Sequence, residues 1–215
     1  PNSQDGVPFV TQPPIAPGSK YRYDFPLIQS GTYWMHSHYG LQEQHLLAAP
    51  LILHDSNHEN VQQQEVVMFL SDFTFRNPLE IFRELRREGS KVKAPQPSHD
   101  QMMKMSAKEG HDHSMMDMPQ DKMSSGHMMQ MDLNDVKYDA FLTNWRTLAN
   151  PDIVQVTPEK EVRLRIINGS ATTNFFIHLG KLKGEAIAVD GEEIIPFSGS
   201  QFELAVAQRI DILVK

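Results

Sequence analysis

The chain of 215 residues carries a formal net charge of −7, is 40% hydrophobic and contains no cysteine. That length supports one large or two small cored domains, while the acidic balance and dispersed lysines and arginines exclude a basic footprint for nucleic acid or anionic membrane. Without cysteine, disulfides, zinc ribbons and thiolate catalysis are excluded, and the longest apolar runs, Val66 to Leu70 and Ala48 to Leu53, fall well short of the roughly 18 residues of a membrane-spanning helix.

The chain opens on Pro1-Asn2-Ser3 with neither an initiating methionine nor a signal-peptide pattern, and reads as a processed or excised piece. Pro13, Pro14, Pro17 and Gly18 punctuate it before Tyr21-Arg22-Tyr23-Asp24-Phe25, whose alternation predicts a strand. Gln29-Ser30-Gly31 turns into a second strand, Gly31-Thr32-Tyr33-Trp34-Met35-His36-Ser37-His38. Side chains at i and i+2 of a strand leave the same face, about 6.6 Å apart at a rise of about 3.3 Å per residue. His36 and His38 are therefore a candidate metal-ligating pair, suited to copper, zinc, iron or nickel. The spacing leaves open whether they close on one ion or serve two. Pro50-Leu51-Ile52-Leu53-His54 completes three strands compatible with an antiparallel sandwich.

The sequence turns polar from Asp55 to Gln64, which puts a domain boundary near residue 60, and Glu65 to Leu70 starts the next apolar strand. Asn77 and Pro78 have the chemistry of an N-cap and a first helical position. Leu79, Phe82 and Leu85 then repeat at helical spacing toward Gly89. Beyond the helix, residues 90–134 lose apolar periodicity and read as a disordered Met/His-rich insertion.

Ten of the twelve methionines fall in that tract: Met102, Met103, Met105, Met115, Met116, Met118, Met123, Met128, Met129 and Met131. Core methionine fills gaps among other apolar side chains, but no Leu, Ile, Val, Phe, Trp or Tyr intervenes between Met102 and Met131. Thioethers are soft ligands that favour Cu(I), and His111, His113 and His127 add imidazole, so the tract is a candidate set of Cu(I) sites. Past it, Tyr138 to Leu142, Val162 to Ile167, Asn174 to Leu179, Ala186 to Val189 and Asp211 to Val214 read as strands, with Asp190-Gly191 as a hairpin turn before Glu192 to Ile195. An all-β sandwich follows. His45, His54, His58, His99 and His178 have no partner at metal spacing, and Asp72, Asp190 and Asp211 read as structural hydrogen-bond acceptors at strand ends. No Gly-rich phosphate loop or nucleophile elbow is present.

The segment Gly31 to His38, followed by Gln42-Glu43-Gln44 and Pro50 to Leu53, resembles the second copper motif of multicopper oxidases. Downstream, Ser71-Asp72-Phe73, Arg165-Ile166-Ile167-Asn168, Val189-Asp190-Gly191 and Gln208 to Val214 resemble the second cupredoxin domain of that family. With the Met-rich insertion, the resemblance points to the bacterial copper-resistance oxidases. It implies a cupredoxin-like Greek-key fold: residues 1–59 as the C-terminal part of a first domain and 60–215 as a near-complete second, with 90–134 inserted in it.

The resemblance further implies copper as cofactor, and a reaction that couples substrate oxidation at a type 1 copper to reduction of dioxygen to water at a trinuclear cluster. His36 and His38 carry over as type 3 ligands, one to each copper. The family's other copper motifs, one earlier and two later, do not occur in these 215 residues, and the cysteine of its type 1 site is absent. Ala49 stands where relatives often have Gly. The expectation is a fragment of a periplasmic copper-dependent oxidoreductase, inactive alone, whose partners are copper ions and the remainder of its parent. The alternatives are a non-catalytic Cu(I)-binding or storage module that uses the Met-rich tract, and a two-domain oxidase completed by oligomerisation.

Overall fold

The computed structural model describes residues 2–55, 63–89 and 136–215, and the Met/His-rich insertion expected at 90–134 lies outside them. Among the described residues, the β strands all belong to one compact unit formed by residues 1–81 and 136–215. Ten strands build it: β1 Gly31–His36, β2 Ala48–Leu53, β3 Gln64–Phe73, β4 Ala140–Thr143, β5 Val162–Asn168, β6 Phe175–His178, β7 Gly184–Val189, β8 Glu192–Gly199, β9 Gln201–Leu204 and β10 Arg209–Val214.

Six strands form one sheet in the order β4-β3-β5-β10-β7-β8, in which β3 and β5 run parallel and the other neighbours antiparallel. Two antiparallel pairs, β6-β9 and β1-β2, accompany it. Alternation along β10 explains the layering: Ile210 and Ile212 join Leu70, Ile166, Ala186, Phe202 and Leu204 in the main core, between the sheet and β6-β9. Asp211 points to the opposite face, where it meets Thr32 of β1. The sheet is thus buried from both sides in its middle. Ile166 and Ile212 are fully covered, and truncating such a side chain to alanine costs about 2–5 kcal/mol.

Asp190 (φ 54°) and Gly191 (φ 89°) make the expected two-residue hairpin between β7 and β8. Glycine is needed at 191 twice over. A Cβ there would stand 2.5 Å from the Tyr33 ring, and Gly31 (φ 136°) lies so close that its own Cβ would meet the Gly191 carbonyl at 2.5 Å. The β7-β8 turn is therefore packed directly under the start of the histidine strand. Pro196 lies within β8, which is an edge strand and tolerates a missing N–H.

Helix α1, Pro78–Gly89, begins as its sequence dictates: the Leu79 N–H donates to Asn77 Oδ1 (2.9 Å). In its second half Arg86 stacks over the Phe82 ring. Two expectations fail. Tyr21 to Phe25 is not a strand; the segment precedes Pro26, has no ladder partner, and leaves Tyr21, Tyr23 and Phe25 36–43% exposed. The histidine strand also stops at His36, two residues early: its ladder with β2 ends at His36↔Ala48, and the chain bends at Tyr39 into the loop that leads to β2.

Candidate metal centre

The antiparallel ladder of β1 with β2 runs from Gly31↔Leu53 to His36↔Ala48. Thr32, Trp34 and His36 share one face, so the same alternation that buries Thr32 aims the tryptophan and the first imidazole toward the body of the protein. Trp34 packs edge-on against Phe69 of β3 (centroids 5.7 Å apart) and stacks on His36 (4.2 Å, 29°). Phe69 itself is sealed, lying parallel to Trp145 at 5.9 Å. The imidazole of His36 is thus braced by a ladder of aromatic rings that ends in the sheet.

His38 lies beyond the strand end, exposed, yet its ring comes to 4.6 Å from that of His36 at 58°. The structure therefore brings the two predicted residues together. The 37–47 loop fixes this arrangement through local bonds. The Ser37 N–H donates to the Leu47 carbonyl (3.0 Å), Ser37 Oγ donates to Gln42 Oε1 (2.7 Å), and the Tyr39 N–H donates to Ser37 Oγ (3.1 Å). A single turn of 3₁₀ helix at Glu43–His45 ends on Leu46 with φ 65°, where the Leu46 N–H bonds back to the Glu43 carbonyl.

That turn delivers a residue to which sequence reasoning assigned no role. Glu43 Oε2 lies 3.0 Å from His36 Nδ1, out of line for an N–H···O hydrogen bond, so Nδ1 is a buried nitrogen with no hydrogen-bond partner. The signal for Glu43 was its place in the motif; sequence spacing of seven residues could not show the contact. Among the described residues, no group of three or more His, Asp or Glu side chains converges as a metal cage. His45 is exposed, His54 reaches only Glu65 (3.8 Å), and His178 Nδ1 accepts the Gly180 N–H. The candidate Cu(I) residues Met102, Met103, Met105, His111, His113, Met115, Met116, Met118, Met123, His127, Met128, Met129 and Met131 lie outside the described residues.

Carboxylates near the pair divide by what they already bind. Asp72 accepts the Ala171 and Thr172 N–H groups and the Thr173 hydroxyl (2.8–3.1 Å), so its oxygens are committed to holding that loop. Desolvation, with the Asp72 charge adding to it, pushes the phenol of neighbouring Tyr138 up despite its hydrogen bond to Thr172. Asp211 is the hub of a buried ionic cluster. It accepts Thr32 Oγ1, Arg163 Nε and Nη2, and Arg165 Nη1, and Arg165 also pairs with Glu65. These two aspartates do the structural work expected of them.

Two imidazoles brought to 4.6 Å between ring centroids, with the Nδ1 of one sealed beside Glu43 and the rest of its ring accessible, fit a borderline transition metal. Such a pair supplies part of a coordination sphere. Among the described residues, no helix is long and apolar enough to cross a membrane.

Profiles described as multicopper oxidase match residues 1–58 and 64–215. The chain is 31% identical to copper resistance protein A of Escherichia coli, over all of the chain and 36% of that protein. It is 27% identical to the multicopper oxidase MmcO of Mycobacterium tuberculosis, over 99% of the chain and 39% of that protein. The chain thus spans about a third of the length of these curated relatives. In fold it is similar to Fet3p, a multicopper oxidase that functions in iron import (TM-score 0.69, 21% identity, 99% of this chain and 32% of that one). It is also similar to a multicopper oxidase from Pseudomonas thermotolerans (TM-score 0.68, 22% identity, 100% of this chain and 42% of that one). The all-β sandwich is accordingly cupredoxin-like, and the chain belongs to the multicopper oxidase family, whose cofactor is copper.

Proposed function

We propose that this chain is part of a periplasmic copper-resistance oxidase that couples oxidation of a substrate to reduction of dioxygen to water, with His36 and His38 each ligating one of two type 3 coppers. The observation that carries the reading is the imidazole pair, 4.6 Å between ring centroids, with His36 stacked on Trp34. The division into residues 1–59, the end of a first cupredoxin domain, and 60–215, a second, is supported by the two family matches on either side of residue 60.

Copper, when bound, supplies the one-electron chemistry that connects a reductant to dioxygen. The chain's own residues hold and orient. Trp34 fixes the plane of His36, the 37–47 loop returns His38 toward it, and the buried face of β1 keeps water from the Trp34 side of the pair. Two imidazoles and no cysteine make an incomplete set for the whole reaction, so the chain alone is inactive. Oxygen uptake with a phenol or Cu(I) as reductant tests this: copper-loaded chain gives only the rate of free copper. Sustained uptake abolished by H36A would overturn it.

The Met-rich tract favours a second reading, a Cu(I)-binding or storage module, since ten methionines lie between 102 and 131. Cu(I) titration of the intact chain against one lacking residues 102–131 separates the two. The storage reading requires the stoichiometry to fall on deletion, and an unchanged stoichiometry removes it.

A further inference from the structure

We infer that Glu43 is the positioning residue that fixes the tautomer of His36, keeping the proton on Nδ1 and the lone pair on Nε2. The inference rests on the reading of His36 as a copper ligand for its significance, though not for its test. Nδ1 is sealed from solvent while the imidazole side chain keeps 28% exposure, so the accessible part of the ring lies away from Nδ1. Glu43 Oε2 stands 3.0 Å from that sealed nitrogen.

A neutral imidazole carries one N–H and one lone pair. Placing the lone pair on Nδ1 would set it against a carboxylate oxygen at van der Waals range, in a place where water cannot intervene. Placing the N–H there turns the same approach into attraction. The alignment missing from the present geometry is supplied by the terminal torsion of glutamate, which is broad and soft. Trp34, stacked on the ring, and His38 beside it leave the imidazole little freedom to turn away. A carboxylate behind a ligating histidine orients the ring and raises its basicity, and removing such a group typically lowers metal affinity about 10–100-fold. Glu43 itself is held in place by the backbone of the 3₁₀ turn and makes no side-chain hydrogen bond that the fold needs.

The test reads the ring directly. Two-bond ¹H–¹⁵N correlation spectra of the uniformly labelled, copper-free chain, recorded at alkaline pH with the ring neutral, report which nitrogen of His36 bears the proton. The wild-type chain shows Nδ1–H, and E43A shifts His36 toward Nε2–H while the spectra of His54 and His178 stay fixed. Cu(II) affinity then drops about 10–100-fold in E43A, with E43Q, which keeps a neutral acceptor, in between. A wild-type Nε2–H form, or ring shifts unmoved in E43A, overturns the inference. An Nδ1–H form in a chain that binds no copper leaves the tautomer assignment standing and removes the ligand reading instead. A purely structural Glu43 would lower the unfolding midpoint of E43A without moving the ring shifts.

Discussion

Thr32 Oγ1 donates a 2.6 Å hydrogen bond to Asp211 Oδ1, and both residues are fully buried although 179 positions separate them. This bond ties the strand that carries His36 to the central strand of the six-stranded sheet. Arg165 Nη1 joins it by donating to both Thr32 Oγ1 and Asp211 Oδ2 (2.9 Å each), and the Arg209 Nε–H reaches the Thr32 carbonyl (3.3 Å). The histidine strand is therefore held at its start by ionic hydrogen bonds and at its end by aromatic stacking.

Neutralising Asp211 leaves Arg165 buried against a weaker acceptor. D211N should destabilise the chain by about 2–3 kcal/mol, since buried Arg165 keeps Glu65 as its one charged partner and Arg163 loses its own. T32V removes one donor to the same carboxylate and should cost about 1–2 kcal/mol. Urea unfolding followed by circular dichroism measures both, and a D211N midpoint equal to the wild type would show that the cluster does not hold the ribbon to the sheet.

Gly169 leaves room for Phe69: a Cβ at 169 would stand 2.2 Å from the ring's Cζ. G169A should push Phe69 off its place between Trp34 and Trp145 and cost about 1–3 kcal/mol as overpacking. Because these are the two tryptophans of the chain, near-ultraviolet circular dichroism and tryptophan emission should both change. Unaltered spectra would mean that the aromatic ladder does not depend on this ring.

Asp139 caps the turn after β3. Its Oδ2 accepts the Phe75 N–H and the Thr74 hydroxyl (2.8 Å each), and these bonds, the backbone one first, hold its carboxyl below the ordinary carboxylate value. A depressed folded pKa contributes stability that is fully present above the unfolded pKa and is lost as pH falls through the folded one. The wild-type chain should thus lose more stability than D139N between pH 7 and about pH 3. Parallel losses in the two proteins would remove Asp139 from the acid response.

Much of the fold was legible because β-branched and apolar residues mark its strands: Val162 to Ile167 and Asp211 to Val214 read as strands without a partner in view, and the structure extends them to Asn168 and back to Arg209. Asp190-Gly191 gave a hairpin because those residues tolerate positive φ. Tyr21 to Phe25 misled because alternation alone cannot supply a ladder partner. Gln201–Leu204 escaped for the opposite reason: its alternation is real, with Phe202 and Leu204 in the core, but four residues pairing only with β6 carry little periodic signal. His36 and His38 were visible from spacing. Their approach was not, since His38 leaves the strand and returns through the loop, and Glu43 arrives at His36 through a 3₁₀ turn that no residue pattern encodes.

The central claim is that His36 and His38 are copper ligands, and paramagnetic broadening by Cu(II) tests it residue by residue. Adding substoichiometric Cu(II) to the labelled chain should broaden the ring signals of His36 and His38 before those of His45, His54 and His178, and H36A should abolish the early broadening at His38. Sharp His36 and His38 signals after the other three have broadened would contradict the account.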